Sequence, residues 1–178
     1  MGTKQSNRSN QPTNVGSRKE MQRCINQLSE IWPLASRLAA EGIIYESQRP
    51  TEEQLAYLRT HGIGDTPHRM GECYYNAQSF NICGGKRLIY AEGMAIGHVP
   101  IPLEHAWCVL DDNIVIDLTW EIKMGSRKSD WLSNRVIGMI PEGWVYMGIP
   151  IKDRRIVSGF WYKYQYAGPI LLSPEAKQ

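Results

Sequence analysis

Three residue types that together perform nucleophilic catalysis occur in order along the middle of the chain. Cys73 opens a helix-like segment, His105 opens a strand-like segment, and Asp117 lies near the end of the next strand-like segment. A thiol becomes a strong nucleophile when a neighbouring imidazole takes its proton, and a carboxylate can fix the tautomer of that imidazole. The order of the residues and the types of their elements therefore predict a Cys-His-Asp triad.

The surroundings of Cys73 favour a reactive thiol. It follows a glycine-containing loop at the predicted start of a helix, where backbone N–H groups lack partners within the helix. These groups and the helix dipole favour a thiolate and could stabilise an oxyanion on an attacked carbonyl. The alternative is a buried cysteine that packs as a small apolar side chain. That is how we interpret Cys24 and Cys108, whereas Cys83 has no evident role.

Asp117 is unusual because it stands in the apolar stretch 115–118, where a carboxylate needs a partner. One alternative is that it caps the following turn through Thr119. If the hairpin loop is the three residues 111–113, His105 and Asp117 become diagonal neighbours on one face of the sheet. A two-residue loop would move the carboxylate to the opposite face. The triad therefore requires an odd-length loop or a bulge.

Six polar or aromatic residues near the triad could support its chemistry. The asparagine would lie one helical turn beyond the cysteine, and the tryptophan would shield the bond between imidazole and carboxylate from water. The two glutamates could position substrate, and the histidine–arginine pair before the cysteine could bind an anionic group or donate to an oxyanion. Packing or simple solvation is the alternative for each. The six are Asn76, Trp107, Glu92, Glu104, His68 and Arg69.

The rest of the pattern predicts an α+β fold in which N-terminal helices pack on an antiparallel sheet. Residues 1–17 are almost free of apolar side chains and predict a flexible tail, and residues 18–178 predict a single domain. Apolar residues at helical spacing predict a helix from about 17 to 42, interrupted at Pro33. A capping box at 51–54 predicts the start of another helix.

A further helix is expected from Tyr74 to Ile82, where the pair 84–85 of glycines would stop it. The segments after it are rich in β-branched and aromatic residues, which are typical of strands. The predicted strands are 88–96, 105–110, 114–118, 143–151 and 160–166.

Composition argues against several classes of partner. The chain carries 20 basic and 18 acidic side chains, a net charge of +2, which gives no signal for nucleic acid or a membrane surface. No apolar run approaches a membrane span, the polar first twenty residues predict no secretory signal, and the four cysteines match no paired zinc spacing. We therefore expect a cytoplasmic protein with free thiols and no cofactor, with a disulfide pair as the alternative.

At these residues the chain resembles the transglutaminase-like branch of the papain-like cysteine enzymes. The resemblance rests on Cys73 at a helix start, on the His-Ala-Trp of 105–107 opening a strand, and on the Asp-Leu-Thr-Trp of 117–120 closing the next. The Tyr-Ala-Glu-Gly of 90–93 also looks like the family's strand before the histidine. The resemblance covers residues 71–120, under a third of the chain, and the small chain with a polar tail is similar to uncharacterised bacterial and phage proteins.

This resemblance implies a papain-like or transglutaminase-like core with Cys73 as nucleophile, His105 as general base and Asp117 as the orienting acid. Two positions depart from the family's pattern. Leu118 stands where proline is common, and the Glu-Cys-Tyr of 72–74 replaces the usual glycine–cysteine–tryptophan entry to the helix. The substrate is not carried over, because the flanking regions do not share the resemblance.

The leading hypothesis is a thiol-dependent hydrolase or acyltransferase that acts on an amide, ester or thioester of a protein, peptide or small molecule. Hydrolysis is favoured because nothing marks a dedicated site for an amine. A binding protein on the same fold is the alternative, since six Trp and nine Tyr could line a pocket for a small ligand or a partner peptide. A zinc site built from Cys73, His105 and Asp117 is a further alternative, although this ligand set is uncommon.

Overall fold

The fold is mixed α+β, as the sequence predicted. A computed structural model describes part of the 178-residue chain, and within that part five helices accompany one five-stranded antiparallel sheet. The tail predicted for 1–17 lies outside the described residues. The structure describes residues 18–61, 69, 71–97, 101–119, 137 and 140–174. In chain order the elements are α1 Arg18–Leu28, α2 Pro33–Glu41, β1 Ile43–Tyr45, α3 Glu52–Thr60, α4 Cys73–Cys83, β2 Leu88–Ile96, β3 Leu103–Leu110, β4 Ile114–Ile116, β5 Val145–Ile151 and α5 Arg154–Tyr164.

The first helix begins where the sequence indicated, but it ends at Leu28, before the interruption expected at Pro33. Helix α1 buries Met21 and Cys24 on its apolar face. Pro33 opens α2. Proline has no backbone N–H, and this causes no loss in the first helical turn, where N–H groups have no partner within the helix. Helix α3 begins at the predicted capping box, in which the Gln54 N–H donates to Thr51 Oγ1 at 3.2 Å and the Thr51 N–H donates to Gln54 Oε1 at 2.8 Å.

The five strands form one sheet in the order β1-β5-β2-β3-β4, and all neighbours are antiparallel. The nine-residue β2 lies at the centre, between β5 and β3. Successive side chains of a strand point to opposite faces, so the sheet divides the interior into two clusters. All five described helices contribute to the cluster on one face. The other cluster contains the aromatic residues Trp107, Tyr45 and Tyr146.

The prediction of a strand at 160–166 is wrong, because most of this segment lies in α5. Asp153 caps that helix by accepting the N–H of a first-turn residue at 2.9 Å. The buried residues Val157 and Phe160 are three positions apart, and Tyr164 follows four positions later with its ring 4.7 Å from that of Phe160. Aromatic content favoured a strand, but the spacing of three and four places these side chains on one helical face.

Smaller differences concern the ends of strands. The hairpin strand β3 begins at Leu103, two residues before the predicted start, and β5 begins at Val145 rather than at position 143. Strand β4 ends at Ile116, so Asp117 lies just beyond it. Strand β1 was not predicted, because three residues are too few to display an alternating pattern. Among the described residues, no helix has the length and apolar character needed to cross a bilayer.

Candidate active site

The hairpin between β3 and β4 has the three-residue loop that the triad requires. Leu110 pairs with Ile114 and Cys108 with Ile116, so the loop consists of residues 111–113. Two of its residues, Asp111 and Asp112, have φ angles of 53° and 66°. Aspartate tolerates this left-handed region better than most residues do. This register places the side chain of residue 117 on the face of β3 that carries His105.

The imidazole of His105 and the carboxylate of Asp117 are joined by a hydrogen bond of 2.6 Å between Nε2 and Oδ2. Two further donors satisfy the carboxylate. The Tyr146 hydroxyl donates to Oδ2 at 2.6 Å, and the Thr119 N–H donates to Oδ1 at 3.0 Å. Asp117 therefore caps the following turn and binds the histidine at once, so the two interpretations open at the sequence level are both realised in its contacts.

Cys73 is the first residue of α4, and a tight turn delivers it there. The Glu72 N–H donates to the Arg69 carbonyl at 3.3 Å, and Gly71 takes φ of 77°, a value that favours glycine. Glu72 makes no side-chain hydrogen bond to the first turn of the helix. The N–H groups of that turn therefore have no side-chain cap, and they lie beside a half-buried thiol.

The electrostatics of the site centre on His105. Burial alone would lower the pKa of this imidazole, but the charge and hydrogen bond of Asp117, together with the thiol of Cys73, raise it to about 10. The thiol thus lies within interaction range of the ring. Since Nε2 is engaged by Asp117, Nδ1 is the nitrogen left to face the sulfur.

The pKa of Asp117 moves the other way. Burial opposes its ionisation, but the charge and hydrogen bond of His105, with the donors of Tyr146 and Thr119, hold the pKa of the carboxyl below its ordinary value. At neutral pH the buried pair is therefore an imidazolium facing a carboxylate. Such a pair is stable in a protein interior only when its remaining hydrogen-bonding groups also have partners, which Tyr146 and Thr119 supply here.

Aromatic rings enclose the bond between His105 and Asp117. The Trp107 ring lies 5.9 Å from that of His105 and the Tyr146 ring lies 5.3 Å from it, measured between centroids. Trp107 is fully buried, as a shield against water requires. Gly148 makes room for it, because a Cβ at that position would lie 2.6 Å from the indole ring.

Asn76 connects the loop before the cysteine with the segment after the aspartate. Its Oδ1 accepts the Arg69 N–H at 2.7 Å, and its Nδ2 donates to the Arg69 carbonyl at 2.8 Å and to Thr119 Oγ1 at 3.1 Å. The side chain is buried, with every bond inside the protein. Through Thr119, whose N–H binds Asp117, this amide joins the two segments that carry the nucleophile and the carboxylate.

The remaining predicted residues have mainly structural contacts. Buried Glu92 binds the C-terminal segment, since its two oxygens accept the N–H groups of Ile170 and Leu171, and burial raises its pKa to about 7. Glu104 accepts from Tyr74 and Trp32 side chains, each at 3.1 Å. These contacts account for both carboxylates without a substrate, and their predicted role in positioning substrate stays a prediction.

Of the two basic candidates, the structure describes Arg69 but not His68. Arg69 is exposed, pairs with Glu72 at 3.2 Å and lies over the Tyr75 ring at 4.1 Å. Its backbone carbonyl accepts the hydrogen bond that closes the turn before Cys73. His68 lies outside the described residues.

The four cysteines are all unpaired. Cys24 and Cys108 are buried, as predicted, and the Cys108 thiol donates to the Ala77 carbonyl at 3.1 Å on the sheet face opposite His105. Burial raises the pKa of that thiol above its ordinary value. Cys83 is exposed at the other end of α4. In the portion of the chain that the structure describes, no three His, Cys, Asp or Glu side chains are arranged to hold a metal ion.

Sequence reasoning missed Tyr146 and the side-chain role of Thr119. Tyr146 lies on β5, far from the hairpin in the sequence, and reaches Asp117 only because β5 pairs with β2 in the sheet. The only local signal was an aromatic residue in a predicted strand. Comparison of the chain with family models, with curated proteins and with solved structures found no match.

The raised pKa of His105 predicts a distinct dependence on pH. Since the unfolded imidazole titrates near 6.5 and the folded one near 10, the stability contributed by its protonation is complete below pH 6.5 and is lost as pH rises towards 10. NMR titration of the ring should show protonation persisting above pH 8. In Asp117→Asn the midpoint should fall, because the negative charge is removed.

Asp112→Asn is the matched control for this titration, because it removes a carboxylate from the same hairpin without touching His105. It should leave the midpoint of the His105 titration near the wild-type value. An ordinary midpoint in the wild-type protein, or an equal fall in both variants, would contradict the electrostatic account.

Asn76→Asp should destabilise the protein, because an aspartate cannot donate to the Arg69 carbonyl or to Thr119. Leaving buried partners unsatisfied costs about 1–3 kcal/mol, which chemical denaturation measures as a lower free energy of unfolding. Asn26→Asp on the exposed side of α1 serves as the control and should change stability little. Equal free energies of unfolding in the two variants would show that the amide does not join these segments.

Proposed function

We propose that this chain is a thiol-dependent hydrolase or acyltransferase that acts on an amide, ester or thioester through an acyl-enzyme on Cys73. The supporting observation is the 2.6 Å hydrogen bond between His105 and Asp117, with the thiol of Cys73 in range of the same imidazole. We also propose that the helix α4 and the antiparallel sheet correspond to a transglutaminase-like or papain-like core. The resemblance of residues 71–120 supports that proposal.

The first half of the reaction uses the thiol and the imidazole as a pair. In the reacting form, a thiolate of Cys73 lies beside the protonated His105, and the sulfur attacks the carbonyl carbon of the substrate. The carbonyl oxygen becomes an oxyanion next to the uncapped N–H groups at the start of α4. The carbon–heteroatom bond then breaks, the leaving group takes the proton from His105, and a thioester to Cys73 remains.

The second half reverses the roles. His105 takes a proton from water as the water oxygen attacks the thioester carbon. The carbon–sulfur bond then breaks, the carboxylic acid leaves, and the thiolate of Cys73 is regenerated beside the protonated His105. An amine in place of water gives acyl transfer by the same steps. We favour water, since no group among the described residues around Cys73 forms a dedicated amine site.

Asp117 and its partners maintain the orientation and charge of the imidazole in both halves of the reaction. The carboxylate binds Nε2, so Nδ1 is the nitrogen available to the thiol, and the negative charge of Asp117 favours the imidazolium form. Tyr146 and Thr119 fix the carboxylate, and Trp107 excludes water from one side of the ring. These residues position the reacting groups without contacting the substrate.

Incubation with p-nitrophenyl acetate tests the proposal, because any acyl-enzyme of this class forms from an activated ester. Intact-mass and peptide mass spectrometry should find one acetyl group on Cys73, formed faster than on a free peptide thiol. His105→Gln should slow its formation by about 10²–10⁴-fold, which is the usual contribution of a positioned base.

Cys83→Ala and Cys73→Ala provide the matched pair of variants. The first removes an exposed thiol at the far end of the same helix and should retain acetylation, whereas the second should lose it. Acetylation of Cys73 no faster than that of a free thiol, or equal rates in the wild type and His105→Gln, would contradict the enzymatic function. A binding protein on this fold would then be the better account.

A further inference from the structure

The β3–β4 hairpin has two registers open to it, and Asp111 is the residue whose place differs between them. In the structure Asp111 belongs to the three-residue loop, and Leu110 pairs with Ile114. In a two-residue loop, Asp111 would be the last residue of β3 and would itself pair with Ile114. Aspartate and asparagine are among the residues that two-residue turns favour. The pair 112–113, which is Asp-Asn, therefore gives the sequence a competing register.

The choice of register decides whether the candidate site forms. Side chains alternate between the two faces of a sheet, so a shift of one residue moves each side chain after the loop to the other face. Asp117 would then lie opposite Cys108 and away from the imidazole. The hydrogen bond between His105 and Asp117 therefore requires the three-residue loop.

Asp111 is held in a conformation that a strand does not use. Its φ is 53°, whereas φ in an antiparallel strand is about −140°. The Asp111 N–H donates to the Arg87 carbonyl at 3.3 Å. The guanidinium of Arg87 then grips the Asp111 carboxylate with two bonds, from Nε to Oδ1 at 2.8 Å and from a terminal nitrogen to Oδ2 at 2.5 Å. Gln54 adds a third donor, from Nε2 to Oδ2 at 2.9 Å.

This ion pair differs from an ordinary surface pair. A single exposed pair contributes little, but a bidentate pair of arginine with carboxylate, or a pair within a network, contributes more. The pair of Arg87 and Asp111 is bidentate, and its side chains are only 33% and 30% exposed. Hydrogen bonds from Arg87 hold the pKa of Asp111 below its ordinary value, so the carboxylate keeps its charge at neutral pH.

Helix α3 holds Arg87 and Gln54 in place. The guanidinium lies 4.8 Å over the ring of Tyr57, whose hydroxyl accepts the Arg87 backbone N–H at 3.1 Å. Glu53 on the same helix pairs with the guanidinium at 3.0 Å. Gln54 belongs to the capping box, in which its Oε1 accepts the Thr51 N–H. The first turns of α3 therefore support the loop of the hairpin that carries the triad.

We propose that Arg87 and Gln54 are positioning residues of the candidate active site, which act through the register of the β3–β4 hairpin. By holding the Asp111 carboxylate, they keep that residue out of β3. This brings Asp117 to the face that carries His105. The effect on the register does not depend on whether the thiol reacts, whereas its consequence for catalysis rests on the proposed function.

Arg87→Met and Lys152→Met form a matched pair of variants, because each removes the cation of one ion pair to the loop. Lys152 pairs with the neighbouring loop residue Asp112 at 3.0 Å. Arg87→Met should lower the midpoint of the His105 titration, followed by NMR, from near 10 towards 6.5, because the carboxylate leaves the imidazole in the shifted register. Lys152→Met should leave the midpoint unchanged.

NOEs across the hairpin report the register itself, which a general loss of stability would not shift. In the wild type they should join Ile116 to Cys108, its partner in the sheet. In Arg87→Met they should move to Val109, the partner of Ile116 in the two-residue register. Asp111→Val should cause the same shift, because a β-branched residue disfavours positive φ. Asp111→Asn tolerates that region and keeps an acceptor, so it should retain the wild-type pattern.

Arg87→Lys decides the question if Arg87→Met does not fold. It keeps the charge but cannot make two parallel bonds to a carboxylate, so it should cause a smaller shift in the same direction. Unchanged NOEs and an unchanged His105 midpoint in Arg87→Lys and Asp111→Val would overturn the proposal, as would an equal fall of the midpoint in Lys152→Met. Neither readout requires a reaction at Cys73, so failure of this inference is distinguishable from failure of the proposed function.

Discussion

The geometry of the candidate site depends on the hydrogen bond between His105 and Asp117. Both residues lie largely out of water, with side-chain exposures of 12% and 4%. Removing one partner of such a buried pair typically costs about 3–5 kcal/mol, because the remaining charge is left uncompensated. Two more donors to the carboxylate, from Tyr146 and Thr119, help to offset the cost of burying its charge. The pair therefore constrains the hairpin, β5 and the segment beyond β4 together.

The sheet allows the helix and the imidazole to meet although they belong mainly to different layers. Side chains of β3 alternate between the helix-covered face, where Cys108 bonds to α4, and the face that holds Trp107. The thiol at the start of α4 acts on His105 near the beginning of β3, while Ala77, further along the helix, accepts a hydrogen bond from Cys108 on the other face of the strand. Asn76 holds this arrangement through its bonds to Arg69 and Thr119.

Local chemistry made much of this arrangement predictable. The α+β class, the capping box of α3 and the start of α4 follow from helical spacing and end signals. The sequence left a two-residue and a three-residue hairpin loop open and tied the triad to an odd length, which the loop at 111–113 has. In each case the determining residues are close in the sequence, so the pattern itself carries the information.

The unpredicted features depend on contacts between distant segments. Tyr146 is 29 residues from Asp117, and no periodicity links the two. Glu92 was predicted to position substrate, with solvation as the alternative, but it is buried and accepts the N–H group of Ile170. The aromatic residues of α5 gave the wrong prediction because composition was given more weight than their spacing of three and four.

The most direct measurement of the central claim is the rate at which iodoacetamide alkylates each cysteine at neutral pH, followed by peptide mass spectrometry. If His105 and Asp117 activate Cys73, its alkylation should be many-fold faster than that of Cys83, although Cys83 is the more exposed thiol. His105→Gln should remove most of this advantage. Alkylation of Cys73 no faster than that of Cys83, or an undiminished rate in His105→Gln, would contradict the account.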